Sequence, residues 1–139
     1  MNSCIKPFPV YNQNVNRKRI LIVDDDEELQ TLVKEMLERN GFGCIAVSTV
    51  GAALEQLKNM NPDLILLDLE FRKIDGTAFL QHAREWMGPG EKVPPIVVLS
   101  GHNDRDIVDH VLEAGAVGFV TKPFEAKELL SVIREYIRD

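Results

Sequence analysis

The sequence predicts an α/β protein built on a five-stranded, doubly wound parallel sheet. Three observations predict it. Short apolar runs alternate with segments of helical period, five times over. The runs are apolar at consecutive positions, as strands are when helices cover both faces of a parallel sheet. Polar and acidic residues stand just after these runs, where an open parallel sheet gathers its ligands.

The elements follow in order. Residues 1–17 hold two prolines and four asparagines without a period and are expected to be a flexible extension; residues 18–139 carry the domain. Arg19–Val23 is a strand running into Asp24, Asp25 and Asp26. Leu29, Leu32, Val33, Met36 and Leu37 recur at three and four, the inward stripe of a helix that Asn40-Gly41 ends. Residues 42–47 form the second strand, in which Cys44 reads as a small core residue. Ser48 or Thr49 caps a helix carrying Ala52, Ala53 and Leu57, which ends near Asn61-Pro62. The third strand, residues 63–67, is apolar on both faces and leads into Asp68. A loop closed by Asp75-Gly76 precedes a helix over 77–86, with Phe79, Leu80 and Ala83 on one face. Residues 96–99 form the fourth strand, ending at Ser100-Gly101. A helix over 104–114 points Ile107, Val108, Val111 and Leu112 inward and stops at Gly115. The fifth strand, 117–120, leads into Thr121-Lys122-Pro123, and the last helix, 125–138, buries Leu129, Leu130, Ile133 and Ile137.

Composition narrows the function. A net charge of −6 argues against a nucleic-acid surface. Cys4 and Cys44 make no CxxC pair and no zinc spacing, so nothing calls for an oxidising compartment. No apolar run has the length of a membrane span, and the first residues lack the order of a signal peptide, so a cytoplasmic protein is expected.

The chemistry is expected at the carboxyl ends of the strands. Asp24, Asp25 and Asp26 follow the first, Asp68 ends the third, Ser100 and Gly101 follow the fourth, and Lys122 follows the fifth. Carboxylates brought close together raise one another's pKa, and a divalent cation relieves the repulsion. Oxygen ligands completed by water suit Mg²⁺, whose open positions accept phosphate oxygens. A lysine adds a point positive charge and a serine a donor. The set fits phosphoryl transfer, in which catalysis is mostly positioning and charge neutralisation, with Asp68 as nucleophile. Asp26 doubles as a helix cap. His102, Asp106 and His110 read as a solvated helix face, and His82 as an ordinary helix residue.

These residues resemble the receiver domains of bacterial two-component response regulators over about residues 19–138. The likeness is carried by ILIVDDD (20–26), DLILLDLEFRKIDG (63–76), PIVVLSG (95–101) and AGAVGFVTKPF (114–124). It implies a flavodoxin-like (βα)5 fold with strand order 2-1-3-4-5. It implies that Asp68 is the phospho-acceptor and that Asp24 and Asp25 are the acidic pair. Asp25 is then the more direct Mg²⁺ ligand, Asp24 acting through water, with Asp68 and the Glu70 backbone carbonyl completing the set and Mn²⁺ able to substitute. Ser100 becomes the switch hydroxyl, Lys122 the partner of the phosphorylated aspartate, Phe119 the aromatic switch position, and Lys122-Pro123 a cis peptide. The chain is then a signalling switch that catalyses only its own phosphorylation and dephosphorylation. Its expected partners are a sensor histidine kinase or histidine phosphotransfer protein, and an effector or output domain met through 104–138. Phosphorylation is also expected to favour a homodimer.

Several positions depart from the commonest pattern. Phe71-Arg72 replaces Met-Pro, Ser100 and Gly101 stand where Thr and Ala are frequent, and Phe119 lacks a hydroxyl. Glu70 and His102 flank the phosphoryl position and are expected to tune the lifetime of the acyl phosphate. Two other classes compete. A degenerate receiver acting as an unphosphorylated scaffold is opposed by the complete set Asp24, Asp25, Asp68, Ser100 and Lys122. A flavin-binding redox protein is opposed by DDDEE after the first strand, which would repel a phosphate.

Overall fold

A computed structural model describes residues 17–70 and 76–137. The extension before residue 17, the stretch 71–75 with Phe71, Arg72 and Asp75, and Arg138 lie outside the described residues. Five strands alternate with five helices: β1 (Arg19–Val23), α1 (Glu27–Arg39), β2 (Gly43–Val47), α2 (Val50–Asn59), β3 (Leu64–Asp68), α3 (Gly76–Trp86), β4 (Ile96–Ser100), α4 (Arg105–Glu113), β5 (Gly118–Thr121) and α5 (Ala126–Tyr136). The strands form one parallel sheet in the order β2-β1-β3-β4-β5, as the sequence led us to expect.

Strand alternation sorts the core into two halves. Leu21, Val23, Ile65, Leu67, Ile96 and Val98 pack with Ala53, Leu57, Phe79, Leu80, Ala83 and Val111, under α2, α3 and α4. Ile20, Ile22, Leu64, Leu66, Val97 and Leu99 pack with Val33, Leu37, Leu129 and Ile133, under α1 and α5. The central strands are therefore apolar up to the polar residue that ends each, and β3 and β4 are buried from end to end.

Local chemistry sets the helix ends. The Asp26 carboxylate accepts from the Glu28 and Leu29 amides at 3.0 and 3.2 Å, and the Thr49 hydroxyl accepts from the Ala52 amide at 3.1 Å. Gly41 and Gly115, with φ of 94° and 122°, turn the chain out of α1 and α4 through a conformation that costs an L side chain about 1–2 kcal/mol. No helix among the described residues is long and apolar enough to cross a membrane.

Two expected inward positions face solvent instead. Leu32 is 65% exposed and Leu112 41% exposed. Each lies at the margin of its helix's apolar stripe, and the sheet covers a narrower arc than the stripe spans: α1 fully buries Val33 and Leu37, and α4 only Val111. Cys44 sits half-buried on the edge strand β2 and packs against the core margin, where burial pushes its thiol up to about 12. Trp86 is half exposed, with the Lys58 ammonium 5.3 Å from its ring centroid.

The contrast between these positions is measurable. Leu66→Ala is expected to cost about 2–5 kcal/mol in urea unfolding through the cavity it leaves. Leu32→Ala should change stability by no more than about 0.5 kcal/mol. A cost of several kcal/mol at Leu32 would show that its exposure is misjudged.

Candidate functional site

Backbone pairing carries the site residues to one edge of the sheet. The ladder continues past the strand ends: the Asp24 amide donates to the Val47 carbonyl at 3.0 Å, the Leu69 amide to Leu99 at 2.9 Å, and the Lys122 amide to Ser100 at 2.8 Å. Val23 pairs with Leu67, Asp68 with Leu99 and Ser100 with Thr121. Asp24 and Asp68 therefore end adjacent strands. Asp68 continues the alternation of Leu64 and Leu66 and so lies on the α1 and α5 side of the sheet.

Three polar side chains are buried at this edge: Asp24 at 2% exposure, Asp68 at 3% and Ser100 at 0%. Asp68 Oδ2 accepts from the Lys122 ammonium at 2.6 Å, and Asp68 Oδ1 accepts from the Glu70 amide at 2.8 Å. Asp24 Oδ1 accepts from the Asp26 amide at 2.9 Å. The Ser100 hydroxyl oxygen accepts from the His102 amide at 2.9 Å. Asp25 is half exposed beside this set. Lys122-Pro123 is a cis peptide, as expected. Phe119 is half-buried against the α2–α4 half of the core.

The charges do not balance. Burial pushes the Asp24 carboxyl up to about 7; the Asp26 amide opposes this, the neighbouring Asp68 carboxylate adds to it, and Lys122 relieves part of it. Lys122 loses hydration on burial, yet its pKa is raised, because Asp68, Glu70 and Asp24 surround it. A buried pair of carboxylates with one ammonium is short of positive charge, and the oxygen donors of Asp24, Asp25 and Asp68 suit a hard divalent cation. Among the described residues no three His, Cys, Asp or Glu side chains are already arranged to hold a metal ion. The closely spaced trio expected from the sequence is therefore not a preformed cage. Mg²⁺ commonly needs only one or two carboxylates and keeps several waters, so the donor set still fits it. His102, Asp106 and His110 are exposed, as expected of a solvated face.

Two contributions were not legible beforehand. The Gln30 side-chain amide donates to the Asp24 carbonyl, to the Val47 carbonyl at 3.1 Å and to the Ser48 hydroxyl at 3.2 Å. It ties α1 to the ends of β1 and β2 and so steadies the acidic pair; a mid-helix glutamine carries no sequence signal for this. The Glu70 carboxylate reaches across to β4, where Oε1 accepts from the Gly101 amide at 2.7 Å. The sequence placed a charge there but not its partner.

An open parallel sheet with a buried, lysine-paired aspartate at its carboxyl edge defines a phospho-accepting switch rather than a cofactor-binding redox protein. The comparisons agree. The family model for the response regulator receiver domain matches residues 20–134. The chain is 32% identical over 118 residues to the chemotaxis protein CheY of Bacillus subtilis, covering 84% of this chain and 95% of that protein. It is 35% identical over 122 residues to the phosphate regulon transcriptional regulatory protein PhoB of Escherichia coli, covering 87% of this chain but only 52% of PhoB. The crystal structure of a signal receiver domain from Bermanella marisrubri superposes with a TM-score of 0.79 at 27% identity, covering 88% of this chain and all of that one. The chain belongs to the response regulator receiver family and is a phosphorylatable receiver domain of the two-component type. It spans nearly the whole of the CheY relative and about half the length of the transcriptional regulators it matches.

The Asp24 environment gives a pH test. Its pKa is about 7 in the folded chain against an ordinary 3.8, so its contribution to stability is present below about pH 4 and is lost as pH rises through 7. In chelator-treated protein, Asp24→Asn is expected to flatten this fall. The variant should be more stable than wild type at about pH 8 by roughly 2 kcal/mol, read from urea unfolding across pH. Equal or lower stability of the variant there would sink the account.

Proposed function

We propose that Asp68 accepts a phosphoryl group from a phosphohistidine on a sensor kinase or phosphotransfer protein, in a reaction that requires Mg²⁺. The observation that carries this reading is the buried Asp68 carboxylate held 2.6 Å from the Lys122 ammonium beside Asp24. An Asp68 carboxylate oxygen attacks phosphorus and a P–O bond forms. The P–N bond breaks, and its electron pair returns to the imidazole nitrogen, which leaves as neutral imidazole once protonated. Hydrolysis reverses the charge change: water attacks phosphorus, the bond to Asp68 breaks, and inorganic phosphate leaves. Asp25, Asp68 and the Glu70 carbonyl would hold Mg²⁺, with Asp24 acting through water. The ion would neutralise charge on the transferring oxygens. Lys122 stabilises the charge that develops on the phosphoryl oxygens and later pairs with the product.

The acyl phosphate brings charge and three acceptor oxygens. Ser100 and Lys122 are the donors to be drawn to it. A Ser100 hydroxyl that swings toward the phosphoryl group strains its bond from the His102 amide and so moves the chain leading into α4 and the environment of Phe119. The proposed outcome is a population shift of the α4–β5–α5 face toward an effector, an output domain or a second copy. Glu70 and His102 then tune the phosphate's lifetime. In this reading residues 18–139 form the receiver, 1–17 an extension to it, and the chain works in the cytoplasm.

Incubation with Mg²⁺ and phosphoramidate, followed by intact mass and peptide mapping, is expected to place one phosphoryl group on Asp68. Asp68→Asn should take none, and Asp25→Asn should slow the uptake at least about tenfold. Metal binding without any phosphoryl uptake by wild type would instead favour an unphosphorylated scaffold.

A further inference from the structure

The Glu70 side chain is placed in an unusual way for an acidic residue beside an acidic site. Glu70 follows the acceptor by two positions, and its amide is fixed by Asp68 Oδ1. Its side chain is exposed, yet its carboxylate bends back toward the groups around Asp68. Oε1 accepts from the Gly101 amide at 2.7 Å and lies 3.5 Å from the Lys122 ammonium, while Oε2 lies 3.6 Å from His102 Nε2. One carboxylate oxygen thus sits between a backbone N–H and the same ammonium that holds Asp68. That is the geometry of an anion site already filled from within the chain.

Gly101 supplies the second, independent observation. Its φ is outside the left-handed region, so its backbone conformation does not call for glycine. A Cβ added there would stand 3.3 Å from both Glu70 oxygens. A side chain at 101 would press on the Glu70 carboxylate in this position and require it to shift. A charged side chain from the end of β3 and a bare position at the end of β4 fit together.

We infer that the Glu70 carboxylate is the resting occupant of the position that the phosphoryl oxygens take, and that it must swing out before a phosphoryl group on Asp68 can be held. This rests on Asp68 being the acceptor. A phosphoryl group on Asp68 would seek the donors beside it, the Lys122 ammonium and the amide at the end of β4, and Glu70 engages both. Each phosphoryl group therefore binds in competition with the chain's own carboxylate. The apparent affinity falls by the fraction of molecules in which the carboxylate is already out. Glu70 is a positioning residue in this account, since it governs the availability of donors and does not touch the reacting bond.

The test uses the full chain with Mg²⁺ and beryllofluoride, a phosphoryl mimic, titrated by ¹⁹F NMR. Glu70→Ala removes the carboxylate. Glu70→Asp keeps the charge but is one methylene too short to reach the Gly101 amide. Gly101→Ala keeps Glu70 but sets a methyl group 3.3 Å from both its oxygens, so the carboxylate must shift by a few tenths of an ångström and its bond to the 101 amide loosens. Both Glu70 variants are expected to bind the mimic more tightly, on the order of tenfold, and Gly101→Ala more tightly by a smaller factor. Without any mimic, the Gly101 amide proton resonance is expected to move upfield in both Glu70 variants as its charged acceptor is lost, which also reports that they are folded. Tightening by Glu70→Ala alone, with Glu70→Asp and Gly101→Ala like wild type, would reduce Glu70 to a diffuse negative charge and overturn the inference. So would an unmoved Gly101 resonance. Phosphoryl uptake on Asp68 by wild type with no variant tighter would overturn the inference and leave the acceptor reading standing. Failure of every form to take either a phosphoryl group or the mimic would overturn both.

Discussion

The ion pair between Asp68 and Lys122 can persist only because the sheet buries it in company that leaves it short of positive charge. Two carboxylates stand at adjacent strand ends, both nearly sealed from water, with one ammonium between them and Glu70. Repulsion between buried like charges is not screened as it is at a surface. The site therefore carries a standing preference for an added cation, while the ammonium is already committed to anionic oxygens. In the proposed transfer, a bound cation and Lys122 would neutralise the charge that the phosphoryl group adds, with Asp68 between them.

The rest of the fold holds those charges in register. Residues 24, 69 and 122 each keep a ladder hydrogen bond beyond the last strand residue, so the side chains start from fixed backbone. The apolar alternation that builds the two core halves also decides which side of the sheet Asp68 emerges on. A slip of one residue would send it to the other helix layer. Core packing and site geometry are thus one constraint. Gln30 adds a cross-tie from α1 to the ends of β1 and β2, where a helix could otherwise shift independently of the strands.

How far a sequence reveals such a site depends on the range of the interaction. The strands, helices, glycine stops and the Asp26 cap depend on neighbours within a few residues, and all could be read from the chain. The strand-end acids were legible because parallel sheets put their ligands at one edge whatever the details. Leu32 and Leu112 were misjudged because periodicity reports an apolar stripe and not how much of it a sheet covers. The reach of Glu70 to Gly101 and of Gln30 to Val47 depends on which strands are neighbours and on one rotamer each. Gly101 looked like a substitution in a motif; its meaning appears only when the carboxylate from the end of β3 is seen 3.3 Å from where a methyl group would be.

The same edge decides which part of the molecule can respond. The α5 helix fully buries Leu129, Leu130 and Ile133, whereas α4 fully buries only Val111, so α4 is the more weakly held of the two. Its C-terminal end is fastened: Arg84 of α3 donates to the Ala114 carbonyl at 2.7 Å. On the adjoining strand the Tyr136 hydroxyl donates to the Val117 carbonyl at 2.7 Å, tying α5 to the entry of β5. The N-terminal end of α4 has no side-chain cap from Asp104, and only Asn103 and Asp104 separate it from Ser100, Gly101 and His102. Those three residues bond to one another or to Glu70 and so report on the anion beside Lys122. A helix fixed at the far end and loose at the near end pivots when its near end is pulled. Leu112 of α4, Val117 before β5 and Tyr136 of α5 are exposed apolar side chains on the elements that such a pivot would affect. In the proposed switch, charge at Asp68 would reach that face through the shortest path the chain offers, the few residues between β4 and α4.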